Sequence, residues 1–213
     1  MAQRKTKTAK HKTDEDYKLL DLVFAPSRFF DRAAKNTDRY LPVSIAILGI
    51  SFIASVVNPL AAAPGIPWGT LAVFGLSMLI LTILVMHYMA VALKGTATLK
   101  QFVTMAGFAI VPDTISTALS HIGFYTTPEP IQVFISQGLG DMTSEQLITG
   151  VLANPVTAPI LLLVLLAEVW GIALFIIGLR QAHKITTLRS IAAYLLGIVL
   201  VSIISSIAFA QYI

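Results

Sequence analysis

The sequence predicts an all-α fold: a polytopic integral membrane bundle of five transmembrane helices, with the N-terminus inside and the C-terminus outside. Three observations predict it. Apolar residues make up 56% of the chain and charged ones only 12%, against about 45–50% and about 25% in soluble domains. The apolar residues gather in runs near the roughly 20 residues that cross a bilayer core of about 30 Å. The 15 Lys and Arg residues fall in alternate connections and leave the others empty.

Residues 1–16 are polar, basic first and acidic after. They cannot bury a core and are expected to form a disordered cytoplasmic tail. They contain no apolar run of the signal-peptide kind, so the first span is expected to do the targeting. In residues 17–37, Tyr17, Leu20 and Phe24 recur at helical spacing, Pro26 interrupts, and Phe29, Phe30 and Ala33 follow among Arg28, Arg32 and Lys35. That pattern predicts a short amphipathic helix lying in the membrane interface. Packing beneath the bundle is a compatible reading.

Residues 38–213 then form the transmembrane domain, with spans near 41–58, 68–93, 99–122, 157–179 and 188–211. Pro42 suits a first-turn position, where its missing N–H costs nothing. Asn58-Pro59 closes the first span. Lys94 and Gly95 fit the C-terminus of the second. Thr98 to Gln101 reads as a capping box opening the third, and so short a loop makes spans two and three antiparallel neighbours. Pro112 interrupts the third span. In the connection 123–156, Thr143 to Gln146 resembles a second capping box before a short helix at Leu147–Ala153, which Asn154-Pro155 closes. Basic residues of Arg180–Thr187 link the last two spans.

Charge fixes the orientation. Ten basic residues precede position 40, Lys94 and Lys100 mark the second connection, and Arg180, Lys184 and Arg189 mark the fourth. The first and third connections and the C-terminus have none. The positive-inside rule therefore puts the N-terminus in the cytoplasm. Basic residues so placed suit anionic lipid rather than nucleic acid. The expected partners are membrane lipids and other membrane proteins or further copies of the chain. The expected location is a multi-pass position in the plasma membrane of a prokaryote.

Two acids lie within spans. Asp113 is about 20 Å along the helix from Lys100, and Arg180 is roughly 18 Å beyond Glu168. Both acids fall near the midplane, where a charge costs at least about 2.5 kcal/mol and does not face lipid. Asp113, Ser116, Thr117 and Ser120 share one stripe. With Glu168 they form a candidate ion or proton site; the alternative is a pair of neutral acids held by neighbouring hydroxyls.

His11, His87, His121 and His183 fall at different depths without metal-binding spacing, so no shared metal site is expected. Trp68 and Trp170 read as interface anchor and packing residue. Ala167/Gly171, Ala193/Gly197 and Ser202/Ser206/Ala210 form faces for close helix approach, within the chain or between copies. The chain has no Cys and no nucleophile elbow, phosphate loop or dinucleotide fingerprint. No catalytic residue and no cofactor are expected, and the pattern points away from an enzyme. No internal repeat is visible, which disfavours a two-halved transporter.

Several segments carry a resemblance: Phe24-Ala25-Pro26-Ser27-Arg28-Phe29-Phe30, Lys94 to Gln101, Gly107-Phe108-Ala109, Val111-Pro112, Trp170-Gly171 and Leu179 to Thr187. Together they resemble the Yip1-domain family in its prokaryotic form, over about residues 20–211. The resemblance implies a five-helix membrane domain. Eukaryotic members work in vesicle trafficking and associate with small GTPases and with each other. Their Asp-Leu-Tyr-Gly-Pro motif is missing here, so no binding residue carries over.

The expected function is that of a non-enzymatic adaptor or membrane-organising and trafficking factor. It would act through a cytoplasmic surface comprising Arg28, Phe29, Phe30, Arg32, Lys94, Lys100, Arg180, His183 and Lys184. The alternative is a small proton- or cation-coupled transporter or channel using Asp113 and Glu168.

Overall fold

The computed structural model describes residues 19–57, 67–126, 149–150 and 152–209. Among them the elements run α1 (Leu20–Phe24), α2 (Pro26–Lys35), α3 (Thr37–Val56), α4 (Trp68–Ala92), α5 (Leu99–Ala109), α6 (Val111–Thr126), α7 (Thr157–His183) and α8 (Thr187–Phe209). The helices α3, α4, α5–α6 taken together, α7 and α8 are each long and apolar enough to cross a membrane. A helix satisfies every interior backbone group within itself, which is what a segment in hydrocarbon requires.

Local chemistry sets the element ends. Ala25 leaves helical geometry before Pro26, which opens α2 at its first position; the segment expected as one helix is therefore two. Helix α3 begins at Thr37, earlier than its apolar run, so Pro42 lies inside it rather than in its first turn. Helix α4 closes with Lys94 in the left-handed region, at φ 70°. The Lys94 N–H donates to Val91 O at 2.9 Å and the Gly95 N–H to Ala90 O at 2.8 Å, the paired bonds of a Schellman end. The capping box opening α5 forms as expected: Gln101 N donates to Thr98 Oγ1 at 3.3 Å and Thr98 N to Gln101 Oε1 at 2.9 Å. Ile110 separates α5 from α6 just before Pro112. Asn154 Oδ1 accepts from the N–H groups of Val156 and Thr157 at 2.9 and 3.0 Å and so caps α7. Helix α7 runs on to His183, past the expected end near 179. The tail 1–16, the acids Glu129, Asp141 and Glu145, and residues 147, 148 and 151 of the expected helix 147–153 lie outside the described residues, while 149–150 and 152–153 are helical.

The most extensive pairings are α6 with α7, α4 with α8, and α3 with α5, while α2 packs against α7 and α5. Close approach depends on small residues. A Cβ on Gly107 would collide with Ser44 side chain and backbone, and one on Gly197 with the Met86 thioether. Ala193 is fully buried and Gly171 lies against Pro112, so these small-residue faces are used within the chain. Ser202 and Ser206 are exposed.

Burial is uneven along the bundle. The core comprises Phe29, Phe30, Tyr40, Met86, Phe102, Met105, Phe108, Leu174 and Leu179 with their smaller neighbours. These sit at the end where Lys94, Lys100, Arg180 and Lys184 emerge, hereafter the basic end. In α4 the only buried residues are Met86, His87 and Ala90, close to its basic end. In α8 no residue from 198 to 208 is buried.

Candidate functional site

Three connections lock together at the basic end. Thr96 N donates to His183 O at 3.1 Å, tying the α4–α5 turn to the end of α7. Gln101 Nε2 donates to Ala34 O at 3.2 Å, tying α5 to α2. Lys100 pairs with Asp38 at the start of α3, and Arg32 with Asp21 between α2 and α1. Gly95 lets the turn close: a Cβ there would overlap the His183 ring. Its role is space, since Lys94 takes the left-handed conformation.

Beneath these links lie two ring clusters. Phe29 meets Phe30, Tyr40 and Phe108 edge to face, with ring centres 4.9 to 5.9 Å apart, each pair worth about 0.5–1.5 kcal/mol beyond its burial. The second cluster brings together His87 of α4, Phe102 of α5 and His183 of α7. Their centres are 5.1 Å apart between the histidines, 5.6 Å from His87 to Phe102 and 5.5 Å from Phe102 to His183. His183 is 0% exposed. Neither of its ring nitrogens has a hydrogen-bond partner, and His87 Nδ1 has none either.

Residues 20–210 match the family model of the Yip1 domain. The chain belongs to the Yip1-domain family. No curated protein and no solved structure matches it. Family membership and five membrane-spanning helices together make it a multi-pass membrane protein.

The expected interaction surface divides in two. Arg28, Lys94, Lys100, Arg180 and Lys184 are exposed at the basic end of this Yip1-domain chain. Phe29, Phe30 and His183 are instead core residues, and Arg32 is half-buried against Asp21. The aromatic stripe of α2 thus faces protein. Apolar spacing marks a face for burial without saying whether lipid or a neighbouring helix covers it.

Asp113 and Glu168 approach each other closely enough for their charges to interact. Each is held by a serine. Ser116 Oγ donates to Glu168 Oε1 at 2.5 Å, joining α6 to α7, and Asp113 shares a hydrogen bond with Ser51 of α3. Tyr194 of α8 also lies within reach of both charges. Thr117 and Ser120 are half-buried on the same stripe. A cavity of about 440 Å³ between α3 and α4 reaches Asp113, Ser51 and Ser55. The rest of its lining is apolar, including Phe52, Leu71 and Phe74, and Glu168 is not part of it. The polar contacts here serve as helix-to-helix ties.

Sequence reasoning missed Ser51 and the meeting of His87 with His183. One serine in an apolar span gives no signal. The histidines had a partial one: Gly95, directly after the residue that ends α4, marks a place where another side chain comes close.

Proposed function

We propose that this Yip1-domain protein is a non-enzymatic membrane-organising adaptor that works through its basic, cytoplasmic end. One observation carries the reading. The connections bearing the exposed cations are bonded to one another, through Thr96 to His183 and Gln101 to Ala34, so they present one fixed surface rather than separate loops. A pre-ordered surface loses less conformational entropy on binding than loops ordered at that moment. Arg28, Lys94, Lys100, Arg180, Lys184 and Arg189 give it positive charge, and Leu19, Leu20, Val23 and Phe24 of the α1 region give it an exposed apolar margin. That combination suits anionic lipid headgroups and acidic segments of other membrane proteins. The positive-inside rule supports the cytoplasmic assignment, and the form of the family motifs supports the plasma membrane of a prokaryote.

Photo-crosslinking amino acids placed singly at Lys94, Arg180 and Lys184 test the reading, with Trp68 and Tyr125 at the opposite end as controls. Discrete protein or anionic-lipid adducts should form at the basic end, and Lys94→Glu with Lys184→Glu should abolish those formed from position 180. Adducts of equal yield at both ends, or adducts indifferent to charge reversal, contradict it.

A further inference from the structure

We infer that the cavity between α3 and α4 is a binding site for a lipophilic amine: one apolar body ending in an ammonium group that pairs with Asp113. The cavity measures about 440 Å³, within the roughly 300–1,000 Å³ of small-molecule sites. It also has their usual make-up, mostly apolar walls with a few convergent polar groups. Phe52, Leu71 and Phe74 belong to the walls, and Asp113, Ser51 and Ser55 supply the polar atoms.

Charge selects the head group. Asp113 is the one ionisable residue among the described lining. It meets the Ser51 hydroxyl and the like charge of Glu168, and among the described residues no cation pairs with it. A carboxylate has about four lone-pair positions, and Ser51 fills one of them. Ser55 is committed elsewhere, since its hydroxyl donates to Ser51 O at 3.0 Å. An ammonium brings several donors and the missing opposite charge. A hard metal cation such as Ca²⁺ takes roughly six to eight oxygen ligands, more than this lining offers. A plain lipid tail covers the walls but leaves the carboxyl without its counter-charge in hydrocarbon, where that is costly.

The position of the cavity selects the source. Asp113 lies roughly 20 Å along α5 and α6 from Lys100 at the basic end, out of reach of phospholipid headgroups there. The two wall helices turn apolar side chains outward, with Ile53 on α3 and Val73 and Leu76 on α4 exposed. The seam between them is light, because α4 pairs chiefly with α8 and α3 with α5. An amine dissolved among the lipid tails therefore enters sideways, between α3 and α4, without passing the closed basic end. Gly75 helps to keep the space open. A Cβ there already touches the Phe52 ring at 3.5 Å, so a longer side chain at this position fills the cavity.

The test uses the full chain in lipid nanodiscs and a dodecylamine carrying a diazirine in mid-chain, with adducts mapped by mass spectrometry. Saturable labelling is expected within 51–56 or 71–79. Unmodified dodecylamine should compete it away, and dodecanol, of equal chain length without the charge, should not. Asp113→Asn should cut the saturable labelling roughly tenfold or more, the scale of one charge-assisted hydrogen bond. Gly75→Leu should abolish it. Variants are compared only where they stay monodisperse and melt within a few degrees of the native protein; the dodecanol competition needs no variant. Absence of saturable labelling in the native chain overturns the assignment. So does labelling confined to other segments, competition by dodecanol as effective as by dodecylamine, or native-like labelling of folded Asp113→Asn.

Discussion

The two ends of this bundle are built differently. At the basic end, aromatic rings, Met side chains and backbone-to-backbone links fill the space between α2, α4, α5 and α7. At the other end α3, α4, α7 and α8 bury few apolar side chains fully and leave many exposed, among them Val73, Leu76, Ile203 and Ile207. The contrast teaches which solvent each half is made for. The far half leaves its surface for lipid tails, which are as apolar as leucine and give no hydrophobic drive to close helix upon helix. The basic half satisfies itself with protein contacts and therefore keeps its shape at the surface where partners arrive.

Substitutions break or sharpen that contrast in order of size. Phe102 touches His87, His183 and Phe175 from full burial. Phe102→Ala should cost about 3–5 kcal/mol, read as a large fall in melting temperature in nanodiscs. Leu76→Ala, exposed on the far half of α4, should leave that temperature almost unchanged. Next is Gly107→Ala. Its Cβ meets Ser44, whose hydroxyl donates to Val103 O at 2.8 Å. Overpacking of this kind costs about 1–3 kcal/mol, measured by steric-trap unfolding in bicelles. Ser116→Ala removes the α6-to-α7 tie to Glu168. Interhelical hydrogen bonds in membranes average roughly 0.6 kcal/mol and reach about 1.7, so a loss near 1 kcal/mol should appear in the same assay. The smallest effect has the opposite sign. Nothing lies within 4 Å of a Cβ built on Gly49, and Gly49→Ala should stabilise by up to about 1 kcal/mol through the reduced entropy of the unfolded chain.

Much of the architecture was legible because hydrocarbon imposes a length and a composition on each span. The expected spans lie within a few residues of the helices, and the Thr98–Gln101 capping box and the interruption at Pro112 fall where their chemistry requires. What escaped was pairing between helices. His183 was expected in a polar linker because the apolar run stops near Leu179, yet backbone bonds carry α7 four residues further and bury the ring. Phe29 and Phe30 were expected on a surface because basic residues flank them, while Ala33 beside them and Phe108 on α5 enclose them. Asp113 and Glu168 lie close enough for their charges to interact. Their separate serine partners depend on how α3, α6 and α7 are rotated, which no one-dimensional pattern specifies.

The central claim is that a closed, fixed basic end is joined to an open, lipid-filled half. Because the chain has no Cys, pairs of spin labels can be introduced without removing native thiols. The decisive measurement compares distance distributions by pulsed electron–electron resonance in nanodiscs for Lys94Cys/Arg189Cys at the basic end and Trp68Cys/Ile207Cys at the far end. Low local contact density should appear as a wider spread of conformations. The account predicts a narrow distribution for the first pair and a clearly broader one for the second; equal widths, or a broader basic end, would contradict it.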